Sequence, residues 1–587
     1  MNSMKKYFTV GLFACFLTII WGCKKLSEDS PLEVTGLEYV FDSKDSLGVN
    51  AERFLNNIYS GLPNGYNRIN NNILDAGTDD AIPNAVGDIV QYYSNNGISP
   101  TNIPDNVWAK NYENIRKVNI FLANIDVVPL NLPGYKNRWK AEARCLRAMA
   151  YFELIKRWGG VPVIGDKIYN AGEVVDIPRS TYQQCSDYII AELDAAMPFL
   201  LTANNSVNGT FASNFYGRFG RGAAMALKSR LLLYLASPLN NPTNDVSKWA
   251  NAAAAAKAVM DSVSATKFTY TLQNAATTAH YTNTQLTPLV PTAALSSYTV
   301  NVNKFLSIFS TASNNEIILP YMATNNSTVE SANDPVGYTR ATATSGKTNP
   351  TQELVDEYEM TNGKQITESG SGYDHTMPYY NRDPRLPGTV MFDGLYWLNR
   401  NVQTYDGGLD RPFGYGRVTK GETRTGYYLR KFMTSNSSAT SYSNYPHVFP
   451  IFRYAEILLN YAEAQNEAAG PDNTVYSAVN AIRNRVGMPG LPAGLTQAQM
   501  RDKIRHERRV EFAFEEHRFW DIRRWKIAGN VLNGTLHGIQ ATLNNGVKTY
   551  KVVDATTIMF DVNKMYLFPI PLNEVISNKS MAQNPNW

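Results

Sequence analysis

The sequence predicts a mainly α protein: a tetratricopeptide-like scaffold of helical hairpins with an irregular, loop-rich and weakly β carboxy-terminal half wrapped onto it. Three observations predict it. Segments between 108 and 263 place apolar residues three and four apart, the period of a helix buried on one face. Alanine recurs where such helices would touch, at Ala141, Ala143, Ala148, Ala150, Ala223, Ala224 and Ala226, so that backbones can approach closely. After position 266 the composition turns to Thr, Ser, Asn and Tyr with short apolar runs, the signature of loops and capping structure.

In chain order, a short helix is expected over Asn50–Ser60, followed by a Gly/Asn/Pro-rich segment and LDAGTDDAI at Leu74–Ile82. Trp108–Ile125 carries Tyr112, Ile115, Val118, Leu122 and Ile125 at helical spacing. Arg138–Trp158 repeats the habit and is stopped by Gly159–Gly160. Further helices are read over Tyr182–Met197, Gly220–Leu235 and Lys248–Val263. The repeat is too degenerate to score by period. Beyond Thr266–Pro350, read as loops, Pro350–Met360 returns to helix, and strands within Tyr379–Trp397 and Thr425–Phe432 are candidates to pair. Pro450–Ala469 reads as a helix with proline near its start and Gly470–Pro471 after its end, with Val475–Val486 as its partner.

The stretch Ile504–Trp525, IRHERRVEFAFEEHRFWDIRRW, is both highly charged and highly aromatic. Arg505, Arg508, Arg509, Arg518, Arg523 and Arg524 interleave with Glu507, Glu511, Glu515, Glu516 and Asp521. Spacing offers local pairs: Arg508 with Glu511, Glu515 with Arg518, Asp521 with Arg524. Val510, Phe512, Phe514, Phe519, Trp520, Ile522 and Trp525 surround the axis, so a helix here is expected to be buried on several sides with its charges paired. Arginine's planar fork suits that task. The expectation is a structural clamp, neither a catalytic centre nor a nucleic-acid helix. The stretch resembles the R-x-E-R-x-x-E-x-x-x-E-x-x-R-x-x-D-x-x-R-W signature of SusD/RagB-type nutrient-binding outer-membrane lipoproteins. WxxNYxxIRxxN from Trp108, GRGAAxALxxRLxLY from Gly220, NRDPRL at Asn381–Leu386, GYYLRKF at Gly426–Phe432 and the terminal NPxW are similar to segments of the same family. The resemblance covers most of residues 23–587 and divides the chain into a signal (1–22), an amino-terminal helical region (23–265) and a carboxy-terminal region (266–587) packed on it as one body.

At the amino terminus, Lys5 and Lys6 precede the apolar run Phe8–Trp21, then Gly22 and Cys23. This is a secretory signal with a lipoprotein ending, and the run is short for a membrane span of about 20 residues. Cys23 is the expected lipidation site, Trp21 departing from the usual small residue of a lipobox. The Glu28–Asp29 pair resembles a surface-export signal of Bacteroidota lipoproteins. Cleavage would lower the formal net charge of +4 by the two lysines. Near-neutrality speaks against nucleic acid as a partner. Cys145 and Cys185 lie in helical patterns and are expected as buried free thiols.

Catalytic motifs are scarce. SGKT at Ser345–Thr348 lacks the first glycine of a phosphate loop, which would stand at Ala341. His506–Glu507 begins a zinc motif whose second histidine would fall at Val510. No G-x-S-x-G occurs. Asp79–Asp80 is half of a glycosidase pair at most, since such carboxylates stand about 5–9.5 Å apart and no second partner is evident. No catalytic residue, metal ligand or cofactor is predicted.

A nutrient such as a sugar presents apolar C–H faces and hydroxyl rims, and asks for aromatic platforms with polar groups on loops. Two stretches supply them: Tyr66–Tyr93, with Tyr66, Arg68, Asp79, Asp80, Tyr92 and Tyr93, and Tyr396–Tyr405, with Tyr396, Trp397, Asn399 and Tyr405. Trp108, Trp139, Trp158, Trp520 and Trp525 lie inside the helices and are assigned to the core. The resemblance implies a lipid-anchored outer-membrane protein that captures an oligosaccharide or polysaccharide and passes it to a SusC-like TonB-dependent transporter. The alternative it leaves is peptide capture.

Overall fold

The computed structural model describes residues 36–587 apart from 132, 171, 203–205, 208–209, 212–215, 266–267, 312–313, 323–324, 343–344, 418–420 and 436–437. The signal segment and Cys23 lie outside the described residues. The amino-terminal half is a run of helices: α1 (Val49–Tyr59), α2 (Trp108–Asn124), α3 (Tyr135–Trp158), α4 (Tyr182–Ala196), α5 (Arg221–Ala236) and α6 (Val246–Ser264). Each from α2 onward packs on the next. Their ends follow local chemistry. Thr181 and Gln184 form a reciprocal capping box at the start of α4, and α3 stops where Gly159 takes a φ of 74° that a side chain would resist. The alanines singled out above are buried, and so are Trp108, Trp139, Trp158, Trp520 and Trp525. Cys145 and Cys185 are buried and unpaired. Among the described residues no helix is long and apolar enough to cross a membrane.

The carboxy-terminal half adds α7 (Thr292–Ser310), α8 (Tyr454–Ala469), α9 (Asn473–Arg485), α10 (Gln497–Glu511), α11 (His517–Arg524) and α12 (Leu572–Ser577). Helix α8 lies against both α5 and α6 and receives α9 and α10 on its other side, which joins the two halves of the chain. Strand content is low and local. Strand β1 (Ile317–Met322) pairs antiparallel with β2 (Val448–Arg453), and a long hairpin is formed by β3 (Gly534–Asn544) and β4 (Val547–Ile558). Val390–Met391 pairs with Tyr428–Leu429, inside the two stretches expected to pair.

Three local expectations are corrected, and one element is new. Thr266–Pro350 is not all loop: α7 occupies its centre and is buried along much of its length, with Val302, Phe305, Leu306 and Phe309 in the core beside the buried polar Thr299, Asn303 and Ser307. Pro450 lies within β2, not at a helix start. Its missing N–H does not break the pairing because bulges interrupt the β1–β2 register next to it. The new element is the β3–β4 hairpin, whose Asn545 and Gly546 carry the positive φ values (50° and 83°) that a tight hairpin turn requires. Finally, 504–525 is two helices. Phe514 and Glu516 take φ values of 66°, and the chain turns between α10 and α11.

That turn parts Glu515 from Arg518, and tertiary partners replace most of the local pairs. Only Asp521 and Arg524 form an expected local pair, at 2.8 Å. Glu511 instead accepts from Arg485 (2.6 Å to each oxygen), Arg453 (2.7 Å) and Arg385 (3.0 Å), three arginines from three other segments. Glu515 pairs with Lys431 and Arg453, both at 2.7 Å, and Arg508 with Asp521 at 2.9 Å. All are buried. The clamp therefore gathers distant parts of the chain, the role for which bidentate arginines are suited. Against burial, which would raise it, the three arginines hold the Glu511 carboxyl well below its ordinary range.

Candidate functional site

The clamp decides what the first loop stretch does. Arg518 binds Asp79 through both Nε (2.9 Å) and Nη2 (2.6 Å), and Arg509 adds a contact to Asp79 at 2.9 Å and one to Asp80 at 2.7 Å. Arg509 also pairs with Glu357. Against burial, Arg509 and Arg518 hold Asp79 below its ordinary range, whereas burial pushes Asp80 up to about 6. Arg68 pairs with Glu516 at 2.9 Å. Tyr66 is buried among Phe432, His447 and Phe449, its hydroxyl donating to Val448 O at 2.9 Å. Tyr93 stacks on Phe568 at 5.1 Å and its hydroxyl accepts from Asp105 N. Tyr66, Asp79, Asp80 and Tyr93 are thus interior pins, and Arg68 is committed to an ion pair. Burial withdraws them from the ligand-facing set. Only the half-buried Tyr92, packed over Gly97, keeps part of its ring outside.

The second stretch divides similarly. Trp397 is 1% exposed, lies beneath Arg430 at 4.6 Å, and donates from Nε1 to Asp334 at 3.3 Å; it is withdrawn too. Tyr396 is half-buried on a short hairpin in which it pairs with Asn401. Asn399 is exposed at the tip beside Leu398, whose φ is 53°. Tyr405 is half-buried, its hydroxyl donating to Gln403 Oε1 at 3.2 Å with the Lys548 ammonium 5.4 Å from its ring.

Beyond Tyr405 the accessible surface continues past the stretch expected from the sequence. Leu409 and Phe413 are 53% and 55% exposed, and Tyr415 is half-buried with its hydroxyl donating to Asp554 O. The signal was present in YDGGLDRPFGYGR, where aromatics alternate with glycines. Gly407, Gly414 and Gly416 take φ values of 75–80°, so the chain folds back on itself and turns these side chains outward. Rigid struts hold the loop: Arg400 grips Asp410 through two bonds (2.7 and 2.9 Å), Asp406 N donates to Ala541 O of β3, and Gln540 donates to Asp406 at 2.6 Å. The short hairpin and the braced loop after it thus carry Tyr396, Tyr405, Phe413 and Tyr415 with part or much of each ring accessible, together with Asn399 and Arg400, and Lys548 of β4 reaches the Tyr405 ring.

The structure does not bring the two loop stretches to one point. Met559, just past β4, meets Ser94, whereas Tyr405 bridges Ala541, the partner of Tyr550. Nine residues of extended strand separate Tyr550 from Met559, about 30 Å at roughly 3.3 Å per residue. Tyr92 and Tyr405 could touch one ligand only if it were a chain of that length.

A helical-repeat body that carries exposed aromatics on braced loops defines a class: a helical scaffold presenting a loop-built surface. Comparison with known proteins places it further. The family model "SusD family" matches residues 312–587, and a second, "Starch-binding associating with outer membrane", matches 37–233. SusD-like protein P38 of Formosa agariphila is 23% identical over 76% of this chain and 77% of its own length. SusD-like protein P2 of the same organism is 33% identical over 27% of this chain and 29% of its own, so the chain matches less than a third of that relative. A SusD-like protein of Bacteroides fragilis superposes with a TM-score of 0.74 at 27% identity, covering 93% of this chain and 98% of that one. A laminarin-binding SusD-like protein superposes with a TM-score of 0.60 at 21% identity, covering 92% and 99%. The chain belongs to the SusD/RagB family.

Proposed function

We propose that this protein is a cell-surface glycan-capture lipoprotein, anchored through Cys23 at the outer membrane, that passes oligosaccharide to a SusC-like TonB-dependent transporter. The observation that carries the reading is the cluster of accessible aromatics in this stretch, read as a platform: the exposed Phe413 with the half-buried Tyr405 and Tyr415 on a loop braced to the β3–β4 hairpin, and the half-buried Tyr396 on the short hairpin before it. Aromatic faces stack on the C–H faces of sugars, and the rim of Asn399, Arg400 and Lys548 supplies donors and acceptors for hydroxyls. A site on accessible loops suits a polymer that must enter from solvent and leave toward a transporter. The family descriptions and the laminarin-binding relative support carbohydrate as the ligand. The amino-terminal region to 265 and the region from 266 act as one body under this reading, with α8 packed on α5 and α6 as the joint. The mechanism is binding without bond cleavage, consistent with Asp79 and Asp80 being held by Arg509 and Arg518.

The test is retention of the chain from Cys23 onward on gels containing neutral polysaccharides, with calorimetry on their oligosaccharides and a peptide panel beside them. Phe413→Ala with Tyr405→Ala is expected to weaken glycan binding at least tenfold, the loss of about 1.4 kcal/mol or more typical of buried aromatic anchors, while the melting temperature holds. Trp397→Ala is expected to act on stability instead, at about 3–5 kcal/mol for a fully buried ring. Unchanged retention in the double variant removes the platform from the reading. Retention of peptides alone transfers it to peptide uptake, and shortened glycan products would make the protein an enzyme.

A further inference from the structure

A second concave feature lies far along the sequence from the aromatic platform. Helix α2 forms one wall, the strap 161–179 that follows α3 forms another, and α12 with the chain beyond it forms the third. The strap and the carboxy-terminal segment are tied together: Arg179 donates to Ala582 O at 3.0 Å and Asn584 Oδ1 at 2.7 Å, and Asn578 donates to Ile177 O at 2.8 Å. The crevice holds about 660 Å³. That falls within the roughly 300–1,000 Å³ of small-molecule sites. Trp108, Tyr112, Ile164, Tyr169, Val174 and Met581 give it a largely aromatic and aliphatic lining. Val174, at 74% exposed, stands at its mouth.

The charges in the lining are not equivalent. Lys167 is neutralised by Glu173 at 2.6 Å, Glu113 by Lys117 at 2.7 Å, and Arg116 donates to the Tyr169 carbonyl. Glu574 differs. It is half-buried, its neighbours are the hydrogen-bond donors Trp108 and Asn573, and among the described residues no cation pairs with it. A carboxylate in an apolar crevice without a counter-ion has lone pairs left for a cationic donor beside those two. The faces of the aromatic rings in the lining favour a cation, as the Tyr169 ring already does for the Lys167 ammonium at 4.0 Å.

We propose that this crevice is a second ligand site, for a small organic cation with an aromatic or aliphatic body whose ammonium meets Glu574 while the body lies against Trp108, Tyr112 and Tyr169. Burial pushes the Glu574 carboxyl up, and an arriving ammonium would lower it again. The site is independent of glycan capture, since none of its residues belongs to the platform.

The test is calorimetry on the whole chain with three isosteric probes: 2-phenylethylamine, 2-phenylethanol and phenylacetate. The amine is expected to saturate in the millimolar range or below, at least tenfold tighter than the alcohol, with phenylacetate weakest. Glu574→Gln is expected to remove the preference of amine over alcohol while leaving the alcohol within threefold. Ala109→Arg, at an exposed helix position on the crevice wall, is expected to abolish amine binding, and thermal melts of both variants check folding. Equal binding of amine and alcohol, an unaffected amine in Glu574→Gln, or no saturation by the amine overturns the proposal. None of these outcomes touches polysaccharide retention, which tests the glycan reading separately.

Discussion

Replacing Glu511 by alanine is expected to cost a large share of this protein's folding free energy. The carboxylate is fully buried and accepts from Arg485, Arg453 and Arg385. Breaking a buried ion pair by removing one partner typically costs about 3–5 kcal/mol, because the remaining charge stays in a medium that cannot solvate it. Here three guanidiniums share the loss. Arg385 keeps Asp383 and Glu507, and Arg453 keeps Glu316 and Glu515, but Arg485 is left with Glu316 alone. The effect should therefore stand at the upper end of that range, against total stabilities of about 5–15 kcal/mol. The reference is Glu467→Ala, which breaks the half-exposed pair with Arg501 (2.5 Å) and is expected to cost about 1 kcal/mol or less. Urea midpoints of the two variants, read by tryptophan fluorescence, decide it. Equal midpoints would mean that the clamp's charges are not held as close as these distances imply.

The same residues show how far the sequence carries. That 504–525 would be buried, paired and structural was legible, because aromatics on all sides of a charged helix leave few other arrangements. The partners were not. Local spacing offered Glu511 to Arg508 and Glu515 to Arg518, but Glu511, at the end of α10, meets Arg385, Arg453 and Arg485 from other segments, and the bend at Phe514–Glu516 parts Glu515 from Arg518, which goes to Asp79. A chain read one window at a time cannot weigh a partner more than 400 positions away, as Asp79 is from Arg518.

The loops fared differently for a related reason. A tyrosine or tryptophan beside polar residues reads the same whether it faces solvent or the core, so Tyr66, Tyr93 and Trp397 looked like ligand residues until their neighbours were known. Exposure at Phe413 and Tyr415 was encoded less in those residues than in the glycines around them, whose left-handed backbone turns the loop outward. The helices were legible because their period repeats over several turns. The platform depends on single positions of φ.

Acid should unfold this protein early, and the sign follows from which carboxylates the arginines hold. Against burial, Arg524 and Arg508 hold Glu463 down to about 2 from an ordinary 4.5, and Lys156 and Arg157 hold Glu153 down to about 2. A carboxyl whose folded value is depressed contributes stability that is present above its unfolded pKa and is lost as pH falls through the folded one. For these two groups the window runs from about 4.5 down to about 2. At about 1.4 kcal/mol per unit, each contributes at most roughly 3–4 kcal/mol, and Glu511 and Glu507 are shifted in the same direction. Asp80 and Asp334, pushed up to about 6, and Asp75 and Glu516, also pushed up by burial, oppose them. Their stability is fully present below the unfolded pKa and fades as pH rises through the folded one, though Asp79 beside Asp80 is shifted the other way. Below about 4 only the depressed groups still titrate, so the urea midpoint should fall steeply from there toward about pH 2. Glu463→Gln separates cause from coincidence: it removes the charge that Arg524 and Trp525 hold, at 2.5 and 2.7 Å, so the variant should start less stable at pH 7 and lose less on acidification. Parallel acid profiles for wild type and variant would show that the acid lability arises elsewhere.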